Sequence, residues 1–328
     1  MKYSKEQIEK ILVENWVDIA RQFQETQSDI LTTLYQRYSD LEKANIVLYF
    51  TCAVHEAVLN MRKVNLQADI SYQNFWHNHE SLKAIHHKII KIANDTGLPK
   101  ETARRKIEEL RKAKIIHKDK QKLHWNPPEE LRKTYEATTQ SQTKAIANLI
   151  ALVANKVHFA QSSSAVQQEL MKHYSFYWYH FLNTELTFMK YWQNKVKDIE
   201  LYLIGVNCTI LLNKHLKKKD VKSMQDVIAK REKVDIDIQD VNISATSISE
   251  ITSIPRATCI RKLEKLVKLR LLKKDSKSKR YYVNLSDYGS TSSFLASPQN
   301  AKDIINIFAN FYWIVLNALD QGIEGVKV

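Results

Sequence analysis

Glycine is scarce in this 328-residue chain, which holds five: Gly97, Gly205, Gly289, Gly322 and Gly325. Phosphate-binding loops and dinucleotide-binding motifs need clustered glycines, because the backbone must approach the phosphates closely. The five glycines form no such cluster, so the sequence argues against a nucleotide-driven enzyme. No Ser/His/Asp or paired-carboxylate arrangement stands out either. We therefore expect no catalytic residues, no enzyme activity and no cofactor.

Cysteine and long apolar runs are also rare. Three widely spaced cysteines, an odd number, suit reduced thiols in the cytoplasm: Cys52, Cys208 and Cys259. No segment reaches the roughly 18 unbroken apolar residues that a membrane span needs. The most apolar segment, residues 304–319, is interrupted by three asparagines. We therefore predict a cytoplasmic protein with no membrane partner, in which this segment is buried.

Two conspicuous segments carry weak functional signals. Residues 76–79 read Trp-His-Asn-His and lie near His86 and His87, but no carboxylate or cysteine framework accompanies them. We expect no metal site there. The aromatic run at residues 174–181, with Phe188, Tyr191 and Trp192 after it, is typical of helix packing. Its alternatives are an effector pocket, for an effector that the sequence does not identify, or base stacking.

What the chain does have is length, apolar content and positive charge. The length favours two or three domains, and the apolar fraction of 44% is enough for packed cores. The formal net charge is +14. An excess of this size is typical of proteins that bind a polyanion.

The sequence also repeats itself at a spacing near 155 residues. Residues 98–110 and 254–266 carry the same Pro, Thr, Arg, Lys, Glu and Leu at matching positions. Further pairs are Ile115-Ile116 with Leu271-Leu272, Asp119 with Asp275, Leu48-Tyr49 with Leu201-Tyr202, and residues 149–155 with 304–310. We interpret this as a tandem duplication with halves 1–160 and 161–328 and a boundary near residues 160–165.

Each half follows the same predicted plan. Long helical regions, at about 5–63 and 168–215, precede the repeated core, and an apolar helix closes each half near 143–159 and 300–320. The inserts 64–80 and 216–240 have no assigned role. The predicted fold is mainly α with short β-wings.

The repeated core predicts a helix, a tight turn and a second helix. In the first half a short helix ends at residues 94–97, where Gly97 permits a left-handed exit. Pro99 opens the next helix, whose apolar stripe is Ala103, Ile107 and Leu110. Two short strands, Ile115-Ile116 and residues 123–125, then surround the polar tip at 117–122.

The second half repeats this order with one difference at the turn. Pro255 opens the second helix, and its stripe is Cys259, Leu263 and Leu266, with Cys259 in the role of a small buried residue rather than a redox switch. Strands at 271–272 and 280–283 surround the tip at 273–279. Ser253 stands where the first half has Gly97, which leaves the second turn less well determined.

These segments resemble a known family. Residues 92–99 with Thr102 and Arg105, and residues 248–255 with Thr258 and Arg261, resemble the winged helix-turn-helix of bacterial transcriptional regulators such as MarR and GntR. The resemblance covers about residues 84–126 and 240–284, and the flanking helices only loosely. It implies two winged modules flanked by long helices, an internal pseudo-dimer, and double-stranded DNA as the partner.

Charge supports the same interpretation independently. Residues 98–124 hold ten Lys or Arg against four Asp or Glu, and residues 254–280 hold eleven against two, so the net positive charge lies in these segments. The predicted DNA-binding residues are Lys100, Thr102, Arg104, Arg105, Lys118, Lys120, Lys122, Arg256, Thr258, Arg261, Lys262, Lys274, Lys277, Lys279 and Arg280.

The two recognition helices are not identical, since Glu101 is replaced by Ala257 and Arg104 by Ile260. One chain could therefore bind an asymmetric site as a monomeric pseudo-dimer, whereas a homodimer would bind a palindrome. The leading hypothesis is a transcriptional regulator. A plasmid or phage replication initiator with tandem winged helices and a winged-helix protein-docking module remain as alternatives.

Overall fold

The computed structural model describes residues 2–78, 88–119, 122–223, 225–227, 238–285 and 298–326. Within these ranges the chain is mainly helical, with two small antiparallel sheets of two strands each. Of the inserts predicted at 64–80 and 216–240, residues 79–80, 224 and 228–237 lie outside the described residues.

The elements follow one another in the chain in two similar series. The first series is α1 (Lys5–Glu14), α2 (Trp16–Tyr38), α3 (Leu41–Val64), α4 (Tyr72–Asn78), α5 (Ile89–Thr96), α6 (Lys100–Lys112), β1 (Ile116–Asp119), β2 (Lys122–Trp125) and α7 (Glu129–Lys156). The second series is α8 (Ser163–Lys172), α9 (Tyr174–Val196), α10 (Ile199–Lys218), α11 (Ile238–Val241), α12 (Ala245–Thr252), α13 (Arg256–Lys268), β3 (Leu272–Lys274), β4 (Tyr281–Val283) and α14 (Pro298–Gln321), followed by a short 3₁₀ turn (Ile323–Gly325).

The starts of the two series agree in length and in the way that their helices end. Helices α1 and α8 have 10 residues each, and α2 and α9 have 23 each. Ser39 caps the end of α2 and Lys197 caps the end of α9, both with left-handed backbone. The next residue, Asp40 or Asp198, caps the following helix by accepting a hydrogen bond from its first-turn backbone N–H groups.

These helix starts give a spacing that differs from one sequence pairing. Helices α3 and α10 begin 158 residues apart. The pairing of Leu48-Tyr49 with Leu201-Tyr202 spans 153 residues, so it joins the second turn of α3 to the first turn of α10 and is out of register.

The chain forms two compact units, and each draws on both ends of the sequence. Unit 1 comprises Met1–Ser4, Asp40–Lys197 and Asn310–Val328, and unit 2 comprises Lys5–Ser39 and Asp198–Ala309. In unit 1, α3 packs against α9, and in unit 2, α10 packs against α2. The halves 1–160 and 161–328 therefore describe the proposed sequence repeat, whereas compact packing divides the chain beside the two capping aspartates.

The aromatic run of α9 lies in the core of unit 1. Tyr174 is buried and its ring lies within 5.4 Å, centroid to centroid, of the rings of Tyr72, Phe75, Trp178 and His55. The cavity beside this cluster has a volume of about 10 Å³, which is room for a single water at most. The prediction that this run is packing core is confirmed.

One described helix, α3, has the length and apolar composition of a membrane span, and 61% of that window is buried inside the protein. Buried core helices of soluble proteins meet the same criterion. The segment 304–319, which the sequence singled out, lies in α14 and is largely buried, as predicted. Its buried Asn317 is satisfied within unit 1, because its side chain exchanges hydrogen bonds with the backbone N–H and carbonyl of Tyr3.

Candidate nucleic-acid interface

The first module, which we define as α5, α6, β1 and β2 (residues 89–125), is positioned by local signals in the sequence. Helix α5 ends at Gly97, whose φ of 72° lies in the left-handed region and whose N–H donates to the carbonyl of Ala93. Pro99 directly precedes α6. This backbone reversal between two short helices is the one that the sequence predicts.

The second module, α12, α13, β3 and β4 (residues 245–283), has the same turn with a different residue. Ser253 adopts a φ of 61°, and its N–H donates to the carbonyl of Ser249. Pro255 directly precedes α13, which has 13 residues, as α6 does. The turn geometry that the sequence left open is therefore left-handed here too, at the cost of backbone strain that glycine would not carry.

Each module presents one buried and one exposed face of its second helix. The predicted apolar stripes are buried: Ala103, Ile107 and Leu110 in α6, and Cys259, Leu263 and Leu266 in α13. These stripes direct α6 against α3 in unit 1 and α13 against α10 in unit 2. The opposite faces of both helices are therefore left to solvent, and these are the faces that carry the charged residues.

A β-hairpin follows the second helix in each module. Strands β1 and β2 pair with Ile116 opposite Trp125, and β3 and β4 pair with Leu272 opposite Val283. Lys114 and Arg270, both with positive φ, stand at equivalent places between helix and hairpin. In the second hairpin the turn is closed by hydrogen bonds to the Asp275 carboxylate, and the bonds from Ser278 lower the pKa of that carboxyl.

Most of the predicted DNA-binding residues are accessible. Ten of them are exposed: Lys100, Arg104, Arg105, Lys118, Arg256, Arg261, Lys274, Lys277, Lys279 and Arg280. Thr102 and Thr258 are half-buried on the first turn of their helices. Lys120 lies outside the described residues, and of Lys122 the structure describes only its backbone in β2.

The arginines of the two helices differ in their side-chain partners within the described part of the chain. Among the described residues, neither Arg105 nor Arg261 forms an ion pair. By contrast, the Nε of Arg104 lies 2.8 Å from a carboxylate oxygen of Glu101 on the same helix. The Nε of Arg256 donates to the hydroxyl of Thr246, 3.0 Å away.

The second hairpin is tied to its helix by a charged contact. The Nζ of Lys274 lies 2.6 Å from Glu264 of α13, and the hydroxyl of Tyr281 donates to the same carboxylate. The hydrogen bond to Glu264 raises the pKa of Lys274, and the bonds from Lys274 and then Tyr281 lower the pKa of Glu264. The charged groups of Lys274 and Glu264 are partly exposed to solvent, with side-chain exposures of 35% and 40%, so their ion pair orients the hairpin more than it stabilises the fold.

Lys262 is a predicted DNA-binding residue that is buried in the structure. Its side chain is 9% exposed, and its Nζ lies 2.6 Å from Asp198 and 2.9 Å from Glu200 at the start of α10. A lysine held between two carboxylates beneath the helix has no charge to offer a phosphate. The expectation that Lys262 binds DNA is therefore wrong, because helix periodicity alone does not show which basic residue faces the supporting helix.

The same anchor exists in the first module, where sequence reasoning missed it. Lys106 of α6 has a side chain that is 12% exposed, pairs with Asp40 and lies 4.0 Å from Glu42 at the start of α3. The signal was present in the sequence, since Asp-Leu-Glu at 40–42 recurs as Asp-Ile-Glu at 198–200. Helices α6 and α13 each thus place one largely buried lysine against the acidic start of the long helix on which they pack.

The described residues offer little for metal or thiol chemistry. No three His, Cys, Asp or Glu side chains within those ranges lie together as a metal site requires. His79, His86 and His87 lie outside the described residues, so the expectation about them is untested. Cys52, Cys208 and Cys259 are buried and free, and burial raises the pKa of each thiol.

Comparison with known proteins adds no family to this geometry. No protein-family model matches the chain, and no curated protein and no solved structure matches it.

Proposed function

We propose that the chain is a cytoplasmic, sequence-specific transcriptional regulator that binds double-stranded DNA through two winged helix-turn-helix modules. In this proposal α6 and α13 are the recognition helices that enter the major groove, and the two hairpins are the wings. Arg105 and Arg261 contact guanine edges, and the basic residues at the helix starts and wings contact phosphates.

One observation carries this proposal. In each module, the helix with a buried apolar stripe exposes basic side chains on its other face and is followed by a basic hairpin. If the two modules served only to fold the chain, both copies would need to keep the buried apolar stripe but not the exposed basic residues. The retention of exposed positive charge at equivalent positions supports a common polyanionic partner for both copies.

The differences between the two helices support recognition of an asymmetric site. Glu101 and its partner Arg104 in α6 correspond to Ala257 and Ile260 in α13, so the exposed face of α6 carries an ion pair where α13 carries small and apolar groups. Two helices with different faces prefer different bases, and one chain then suffices for a non-palindromic operator. A footprint in which two chains cover a perfect palindrome would exclude this arrangement.

Selection of bound duplexes from a random pool tests the proposal directly. We expect an enriched motif with two parts, and we expect Arg105→Ala and Arg261→Ala each to relax a different part and to cost about 1–3 kcal/mol of binding free energy. Lys144→Ala, which removes an exposed charge from α7, is the control and should leave the motif unchanged.

The salt dependence of binding separates the alternatives. Phosphate contacts make affinity fall steeply with salt. A chain with no salt-dependent affinity for duplex DNA would instead be a protein-docking module. Recovery of several repeated sites at a replication origin, in place of one operator near a promoter, would indicate a replication initiator.

A further inference from the structure

A groove runs along α13 on the side of the helix that carries Arg261. It encloses about 490 Å³, and six residues of unit 2 line it: Asp198, Arg261, Lys262, Glu264, Lys265 and Lys268. The sequence prediction included Arg261 and Lys262 but neither Lys265 nor Lys268. The groove therefore extends the basic surface toward the end of the helix, beyond the residues assigned to base contacts.

Both carboxylates of this groove are already engaged. Asp198 accepts hydrogen bonds from the Nζ of Lys262, and Glu264 accepts from Lys274 and from the hydroxyl of Tyr281. The hydrogen bonds that these two carboxylates accept come from Lys262, Lys274 and Tyr281, and not from the other three cations of the groove.

Three cations remain, at a spacing that places them on one stripe. Arg261, Lys265 and Lys268 are exposed and stand at positions i, i+4 and i+7 of α13. Within the described parts of the chain none of the three forms an ion pair. Three like charges along about two helical turns repel one another, and an anionic partner reduces this repulsion.

The first module lacks this stripe at the equivalent positions. Arg105, Glu109 and Lys112 of α6 correspond to Arg261, Lys265 and Lys268, and Glu109 lies 3.5 Å from the Nζ of Lys43. Glu109 thus takes the middle position of the stripe, where the second module has a cation. Arg111, next to Lys112, is also neutralised by Glu108 at 2.6 Å.

We propose that the α13 groove is a binding site for backbone phosphates of duplex DNA, with Lys265 and Lys268 as its ligands, and that the first module has no counterpart. The second module thus supplies most of the sequence-independent affinity, and the first contributes mainly to base discrimination. This inference rests on the proposed function, since it assigns the partner's phosphates to a site beside the recognition helix.

The test is the dependence of duplex affinity on salt, measured with one fixed 30-base-pair duplex. Each phosphate contact contributes about −0.9 to the slope of log K against log salt. We expect Lys265→Gln with Lys268→Gln to reduce the magnitude of that slope by about two. The matched pair in the first module, Arg111→Gln with Lys112→Gln, removes the same charge and should change the slope by less than about one.

A second control removes two charges from helices that carry no part of the proposed surface, Lys144→Gln of α7 with Lys172→Gln of α8, and should leave the slope unchanged. If the wild-type chain binds the duplex but the α13 variant has the same slope as this control, the groove proposal fails while the proposed function stands. If the wild-type chain shows no salt-dependent binding, the proposed function fails and the groove proposal fails with it.

One further outcome would overturn the groove proposal specifically. Lysines in the last turn of a helix also interact favourably with the helix dipole. If that were their whole role, the α13 variant would lose thermal stability and keep the wild-type slope. Equal unfolding midpoints with a reduced slope are the result that supports phosphate binding.

Discussion

The largely buried lysines of α6 and α13, Lys106 and Lys262, give a direct test of how these helices are held in their modules. Replacement of Lys262 by Met keeps most of the side-chain volume and removes the charge. Asp198 and Glu200, which lie 2.6 and 2.9 Å from the Nζ, then face each other without a cation. The variant should lose stability because two carboxylates are left without a cation at a place where water has limited access.

The magnitude follows from the burial of the three groups. Removal of one partner of a buried ion pair typically costs about 3–5 kcal/mol. Here the carboxylates keep side-chain exposures of 23% and 22%, and Asp198 still caps α10, so water and the helix N-terminus partly stabilise them. We therefore expect Lys262→Met to lower the free energy of unfolding by about 2–3 kcal/mol.

The first module provides a graded comparison. Lys106 pairs with Asp40, but its second carboxylate, Glu42, is 4.0 Å away and 31% exposed. Lys106→Met should therefore cost less than Lys262→Met, about 1–2 kcal/mol. Lys265→Met on the exposed side of α13 is the control and should stay within about 0.5 kcal/mol of the wild type.

Urea unfolding followed by circular dichroism measures these differences. A double variant, Lys262→Met with Glu200→Gln, should recover part of the loss, because it leaves one carboxylate unpaired instead of two. If Lys262→Met is no less stable than Lys265→Met, the ion pair does not hold α13 in place. The assignment of Lys262 as an anchor would then be refuted.

The helix, turn and hairpin of each module could be predicted because their signals are local. Gly97 and Pro99 mark the end of one helix and the start of the next, and the apolar stripe of α6 is visible at helical spacing. Each signal concerns residues within a few positions of one another. The same reasoning placed the second module, even though Ser253 gives no glycine signal at its turn.

The packing of the long helices could not be predicted in this way. Helix α10 packs against α2 and α3 packs against α9, and these partners lie far apart in the sequence. An apolar face predicts that a helix is buried but not which helix covers it. The compact units consequently divide the chain beside Asp40 and Asp198, not near residue 160.

The fate of individual charges depends on this long-range packing. Arg261 and Lys262 are neighbours in the sequence, yet one is exposed and the other lies against the start of α10. The burial of Lys262 beside the exposed Arg261 could be predicted only from the position of Asp198 in the folded chain. The Asp-x-Glu at residues 40–42 and again at 198–200 was the available clue, since a carboxylate pair at the start of each long helix can accept an ion pair from a lysine of the helix packed on it.

Three further predictions test the interior and the turns. His55 is completely buried, and burial lowers its pKa to about 3, so protonation favours the unfolded state. The burial of neutral His55 therefore carries no penalty above about pH 6.5, and it lowers the free energy of unfolding by up to about 1.4 kcal/mol per pH unit as the pH falls toward 3. We expect His55→Leu to reduce the change in the urea unfolding midpoint between pH 7 and pH 4.5. A pH dependence equal to that of the wild type would contradict this. Burial raises the pKa of Cys52 and Cys208 to about 12, so iodoacetamide should label them at neutral pH only after unfolding, and rapid labelling of the native protein would refute their burial. The turns should respond in opposite directions, because Gly97 and Ser253 share left-handed backbone but only Ser253 carries a side chain there. A Cβ on Gly97 would lie 3.2 Å from the Cγ of Lys190, so Gly97→Ala should cost about 1–2 kcal/mol in urea unfolding. Ser253→Gly relieves strain of about 1 kcal/mol but removes the hydrogen bond from Gln36, so it should be neutral to stabilising; a destabilised Ser253→Gly beside an unaffected Gly97→Ala would show that backbone conformation does not govern either turn.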